Sequence, residues 1–190
     1  MVTKKYNDII NSAKDLFWKH GFRRVSIEEI CRSANVSKMT YYKHFPNKME
    51  LAKNIFNRVV EDGEKQLRTI MNSDATPLEK IKSLMLMKLE GTNDISPEFM
   101  QDFYAGGEPE LKTFVENRTR EAWNILRNDY KKAQEDGIFR KDLNMDLLMK
   151  IQYKLWDLIV DESVLNMYDT QQDMLMDLAN LLVYGIVPHD

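Results

Sequence analysis

The sequence predicts an all-α protein of about nine helices, and three observations carry that prediction. Glycine and proline are scarce, at 7 and 5 in 190 residues, while Leu, Met, Lys and Glu, which lose little freedom in a helix, are plentiful. Apolar residues recur at spacings of three and four, and no alternation of period two persists anywhere. Hydrophobic residues make up 43% and charged residues 30%, the balance of a folded protein rather than a disordered chain. The length suffices for one domain with a substantial core, or two smaller ones sharing a helix.

Helix 1 is expected from Lys4 to His20, with Ile9, Ile10, Ala13, Leu16 and Phe17 on one face and Gly21 at its C-terminal cap. Helix 2 opens on a capping box, Ser26 and Glu29, framed by a hydrophobic staple of Val25 and Ile30. Its buried side is Ile27, Ile30, Cys31 and Ala34, and Asn35 suits a left-handed exit. Ser37 caps a short helix 3, with Val36 and Tyr41 at the staple positions, and Pro46 stops it. Asn47 caps helix 4, with Glu50 as a second capping-box partner, and the pattern continues to Asn72. Beyond it, "ATPLEKIKSLMLMKLEG" reads as a helix with Pro77 in its first turn. A short helix in "SPEFMQDFYAGG", a long one in "EPELKTFVENRTREAWNILRNDYKKAQEDG" and two more in "NMDLLMKIQYKLWDLIVDES" and "QQDMLMDLANLLVYGIV" complete the chain.

Charge divides the chain unevenly. Residues 1–50 hold ten Lys/Arg against five Asp/Glu, a net of +5, and residues 51–190 hold seventeen against twenty-five, a net of −8. A basic head on an acidic body favours a polyanionic partner more than the overall −3 indicates, because affinity for phosphates depends on local charge. The lone Cys31 excludes an internal disulfide and fits a reducing compartment. The start "MVTKKYNDII" lacks the apolar run of a signal peptide, and the apolar stretch at 174–187 is too short to span a bilayer, so a cytoplasmic protein without membrane contact is expected.

Helix 2, a three-residue turn and helix 3 form a helix-turn-helix pattern, which requires a second helix that packs by one face and frees the other for a major groove. With Tyr41 set inward and about 100° per residue, Phe45 also points inward. Met39 and Lys43 then face away, flanked by Thr40 and Tyr42. These are groove-reading chemistries: an apolar group for a thymine methyl, hydroxyls for base edges or phosphates, an ammonium for guanine or phosphate. His44 and Lys48, near the start of helix 4, and the Ser26 hydroxyl at the start of helix 2 suit phosphate oxygens. Lys4 and Lys5 could reach DNA as an arm, or be merely solvated.

The segment "SIEEICRSANVSKMTYYKHFPNKMEL", with "AKDLFWKHGF" before it, resembles the DNA-binding segment of the TetR/AcrR family of bacterial transcription regulators. The likeness is strongest in the aromatic-x-His-Phe run followed by Asn47 and Lys48, and "EDGIFRKDLNMDLL" is a weaker echo later. The resemblance implies that Tyr42, His44 and Lys48 touch phosphates or the groove wall, that Thr40 touches backbone or base, and that Lys38, Met39 and Lys43 set sequence preference. Ser26 and Ser37 complete the expected DNA-binding set; Asn35 stands where that family most often has glycine. It further implies a DNA-binding domain over 1–47, a ligand-binding and dimerisation domain over 48–190 with helix 4 as connector, and homodimers on a palindromic operator of double-stranded DNA.

An effector pocket in the middle helices is likewise implied by the resemblance, its lining drawn from Phe99, Met100, Phe103, Tyr104, Trp123, Tyr130, Met149, Tyr153 and Trp156. Met and aromatic side chains suit a flat, mostly apolar molecule, whose identity the sequence does not name, though a stripe of this kind more often builds a core. The last two helices carry more apolar surface than one neighbour covers, which points to a second subunit against Leu148, Ile151, Leu155, Leu158, Leu175, Leu178 and Leu182. The three histidines are scattered and no metal-ligand spacing or phosphate loop is present, so neither catalysis nor a cofactor is expected. The expected function is transcriptional repression relieved by a small molecule; the alternative is a DNA-binding factor whose C-terminal domain serves only assembly or a protein partner.

Overall fold

The computed structural model describes residues 4–91, 95–159 and 161–186. Among them are ten helices and no strand: α1 (Lys4–His20), α2 (Ile27–Ser33), α3 (Lys38–Tyr42), α4 (Lys48–Met71), α5 (Pro77–Glu90), α6 (Pro97–Phe103), α7 (Pro109–Glu135), α8 (Met145–Ile159), α9 (Glu162–Leu165) and α10 (Gln171–Ile186). The nine expected helices are there, and the four-residue α9 is added.

Local chemistry sets the boundaries. The Ser26 hydroxyl accepts from the Glu29 N–H at 3.2 Å while the Glu29 carboxylate accepts from the Ser26 N–H at 2.8 Å, a complete capping box. Ser37 accepts from the Thr40 N–H at 3.1 Å, and the Asn47 side chain from the Glu50 N–H at 2.8 Å. That third cap is one-sided: the Glu50 carboxylate accepts from Lys53 at 2.9 Å instead of returning to Asn47. Asn35 takes the left-handed conformation at φ 50°, as its place after α2 requires.

The helices form two compact units. The first comprises the chain to Asp62 together with α6 and α7 as far as Glu121; the second comprises Gly63 through α5 and the chain from Ala122 onward. The core of the first unit joins Ile9, Ala13 and Phe17 of α1, Ile30 and Cys31 of α2 and Tyr41 of α3 to Leu51 and Ile55 of α4, Phe99 and Phe103 of α6 and Leu111 of α7. The three N-terminal helices share this core with α6 and the first turns of α4 and α7. The core of the second unit gathers Leu67, Leu84, Tyr130, Phe139, Met145 and Leu148, with Tyr130 edge-on to Phe139 at 5.1 Å. There the Gln134 amide donates to the carbonyls of Arg140, Lys141 and Leu143 at 3.1, 3.2 and 2.8 Å and fixes the turn into α8.

Candidate nucleic-acid interface

The α2–α3 turn aims α3 from inside. Tyr41 and Phe45 are buried, with the Tyr41 hydroxyl donating to the Asn47 carbonyl at 3.3 Å, and burial pushes the pKa of that hydroxyl up. Rotation about the helix then places Met39 and Tyr42 outward, 70% and 53% exposed. They are the only exposed large hydrophobic side chains among the described residues of the first unit. Lys38 and Lys43 flank them and are also exposed. The outer face of α3 is thus an apolar centre between cations, the composition a methyl-bearing, phosphate-edged groove complements.

Neighbours orient several of these groups. Lys38 pairs with Glu28 of α2, which lowers the glutamate pKa and raises that of the lysine. The Thr40 and Ser37 hydroxyls lie 3.0 Å apart and share a hydrogen bond, so both belong first to the helix cap. His44 is half-buried, edge-on to Tyr6 of α1 at 5.6 Å, and Tyr6 stacks on Phe45 at 5.2 Å with the Arg58 guanidinium 5.0 Å from its ring. Tyr6 was not among the expected site residues. Its signal in the sequence is its place one turn before Ile9 and Ile10, which puts it on the buried face of α1.

Two expected phosphate ligands are oriented differently. Lys48 turns its ammonium inward: Nζ donates to the carbonyls of Phe22 and Val25 at 2.7 Å each and of Arg23 at 3.4 Å, and sits 4.3 Å from the centre of the Phe22 ring. Burial lowers its pKa, against the opposing pull of Asp102, Glu108 and Glu29. All three of its donors are engaged, so Lys48 ties α4 to the α1–α2 turn. Ser26 is likewise occupied, since its hydroxyl donates to Glu29 Oε2 at 2.7 Å, and Glu28 and Glu29 make that helix start acidic.

The expected pocket residues are divided between the two units. Phe99 and Phe103 stack at 4.2 Å inside the core of the first unit, with Trp18 4.4 Å from Phe99, and Met100 and Tyr104 pack against the same core. They are core residues of the head, the outcome that a Met and aromatic stripe at helical spacing leaves open. Tyr130 is buried in the second unit and Met149 packs against that core, while Trp123 is half-buried. The side chains of Tyr153 and Trp156 lie outside the described residues. Burial pushes the Tyr104 hydroxyl up to about 12.

Of the apolar α8 residues expected to face a second subunit, Leu148 alone is buried. Leu148 points into the core of the second unit, whereas Leu147, Ile151 and Leu158 are exposed and Leu155 is half-buried. Ile151, Leu155 and Leu158, with Lys150 and Lys154, line an open groove of about 510 Å³. On α10, Leu181 is exposed, Leu178 half-buried, and Leu182 packs against the core; the Leu175 side chain lies outside the described residues. No helix among the described residues is long and apolar enough to cross a membrane, and no three His, Cys, Asp or Glu there are grouped to hold a metal ion.

Residues 9–55 match the family model described as bacterial regulatory proteins, tetR family. The HTH-type transcriptional repressor KstR2 of Mycobacterium tuberculosis is 22% identical over 153 residues, covering 78% of this chain and 76% of that protein. The fatty acid degradation regulator FadR from Bacillus halodurans superposes with a TM-score of 0.74 at 22% identity, covering 96% of both chains. FadR from Bacillus subtilis, solved in complex with stearoyl-CoA, gives 0.70 at 20% identity, covering 95% of this chain and 99% of that one. The matched segment spans the core-forming residues of α1, the capped α2–α3 turn and the outward face of α3, so residues 9–55 are those of a tetR-family DNA-binding segment, and the chain as a whole is similar to regulators of that family.

Proposed function

We propose that the protein is a homodimeric repressor that holds a palindromic operator until a small, largely apolar effector releases it. Reading of DNA is assigned to residues 1–47, and assembly and effector binding to 48–190. The observation that carries the proposal is the outer face of α3, where Met39 and Tyr42 stand exposed between Lys38 and Lys43. In the groove, Met39 faces a base, Lys38 and Lys43 reach a base or phosphate, and Tyr42, Thr40 and His44 position the helix on the backbone. The repressor sense is supported by the likeness to KstR2, and the assembly by the apolar strip of Ile151, Leu155 and Leu158.

The effector site is assigned to the second unit around Trp123, Met149, Tyr153 and Trp156, and the likeness to a FadR that holds stearoyl-CoA supports a long apolar ligand. The filled cores around Phe103 and Tyr130 favour a second reading, in which the C-terminal region only assembles the dimer. Selection of duplexes from a random pool by the purified full chain tests the first claim: a two-fold symmetric motif is expected, and failure to enrich any sequence refutes it. Titrating stearoyl-CoA and other long-chain apolar acids or thioesters into the selected complex tests the second. Release of DNA by one of them supports the effector, and an unmoved complex throughout favours the assembly-only reading.

A further inference from the structure

Asp102 of α6 is the one buried charged or polar side chain among the described residues, only 3% exposed. A buried carboxylate survives only if it is paired and hydrogen-bonded. Both its oxygens are taken by a single residue: Oδ2 accepts from the Arg23 backbone N–H at 2.9 Å, and Oδ1 from Arg23 Nε at 2.7 Å. Two glycines make room for it, since a Cβ on Gly21 would lie 2.7 Å from Oδ2 and one on Gly107 2.6 Å from Oδ1. A second tie runs alongside, where the Ser96 N–H ahead of α6 donates to the Trp18 carbonyl of α1 at 2.9 Å.

The same peptide group is held from its other side. Arg23 N–H and Phe22 C=O belong to one peptide unit; its N–H donates to Asp102, and its C=O accepts from Lys48 Nζ at 2.7 Å. The Phe22–Arg23 peptide is therefore clamped between an anion of α6 and a cation of α4, in the orientation that both charges favour. Hydrogen bonds in such a chain polarise and strengthen one another. The clamped turn, residues 21–25, is also the joint between α1 and the α2–α3 pair that carries the reading face.

We propose that Asp102 is a positioning residue for DNA recognition: through the Phe22–Arg23 peptide it locks α2 and α3 against α1, α4 and α6, and so fixes the half-site separation that two heads can engage. This rests on the reading of a dimer on a palindromic operator. Residues that face the groove decide which bases are read, whereas Asp102 touches no DNA and decides where the reading helix stands.

The test uses the full chain and duplexes carrying the selected half-sites with the spacer lengthened or shortened by single base pairs, each of which also rotates one half-site about the helix axis. The wild type is expected to prefer one spacer by about tenfold or more, since a misplaced head forfeits contacts on that scale. Asp102→Asn keeps the shape but places an amide N–H against one Arg23 donor. Its preference should narrow to about threefold or less, while binding to random DNA, set by the lysines, stays as in the wild type. A merely structural defect would lower the active fraction and scale all duplexes alike. Should that variant not fold, Arg23→Met, which keeps the backbone bond to Asp102, decides on the same readout with a smaller narrowing expected. Wild-type spacer discrimination retained by the folded variants overturns the role of Asp102, and a wild type indifferent to spacing overturns the dimer reading beneath it.

Discussion

Replacing Lys48 by Met separates the two roles this lysine could have, because Met preserves the apolar stem and removes only the ammonium. Two part-buried carbonyls, those of Phe22 and Val25, lose their donor, and the Phe22 ring loses a cation 4.3 Å away. An orphaned buried acceptor costs about 1–3 kcal/mol, and a half-buried site that admits water lies at the low end, so the two carbonyls together cost about 2 kcal/mol. The lost cation–ring contact adds about 0.5 kcal/mol. For a chain of this size each kcal/mol moves the melting midpoint by about 2–4 °C, so Lys48→Met should melt about 5–10 °C below the wild type. Burial lowers the Lys48 pKa from 10.5, so the unfolded chain binds more protons in the window between the lowered value and 10.5. Across that window the advantage of the wild type over the variant should grow with pH. The assay is thermal melting by circular dichroism at several pH values, with DNA affinity measured against salt well below the midpoint. Melting within a degree of the wild type, together with a log–log salt slope shallower by about 2 for the dimer, would show that Lys48 serves phosphates and refute its inward role.

Three further outcomes are expected. Met39→Ala should lose a preference for thymine over uracil at one position of each half-site, by about fourfold per site if one methyl is buried there; His44→Ala and Tyr42→Phe should weaken all duplexes alike, and equal selected motifs from wild type and Met39→Ala would exclude Met39 as a reader. Leu158→Glu or Ile151→Glu should leave a folded monomer by sedimentation, whereas Leu148→Ala should cost about 2–5 kcal/mol of stability; a dimer that survives both glutamates would move the interface off α8. Ser26→Ala should cost about 1 kcal/mol through the lost cap. Because hydrogen bonds from the Ser26 backbone and hydroxyl lower the Glu29 pKa beneath 4.5, its stabilisation is present above pH 4.5 and lost as pH falls through the lowered value. Glu29→Gln should flatten that acid limb, and an unchanged limb would argue against the cap.

What the sequence makes legible here is what neighbours in sequence decide. Ser26 with Glu29, Ser37, Asn35 and the inward pair Tyr41 and Phe45 each follow from spacing within one or two turns, and the structure has each of them in its expected local role. The inward turn of Lys48 is hidden because its carbonyl partners lie 23 to 26 positions earlier, and a lysine after a helix cap looks alike whether it faces solvent or a turn. Asp102 is invisible for the same reason, its partner being 79 residues away. Phe99 and Phe103 stand one turn apart, a spacing that a pocket wall and a core share; only the presence of Trp18 against Phe99 decides between them. On α8, the choice between Leu147 and Leu148 as the outward leucine depends on which side Tyr130 and Phe139 occupy, a tertiary fact.

The salt dependence of binding to the selected operator tests the central claim most directly. Lys4, Lys5, Lys38 and Lys43 are exposed on each head, eight cations in a dimer. If they neutralise about eight phosphates, the log–log slope should be near −7, and Lys38→Ala with Lys43→Ala should make it shallower by about 3 to 4. A slope near zero, or one that the α3 lysines leave unchanged, would contradict the account of α3 as the element that meets DNA.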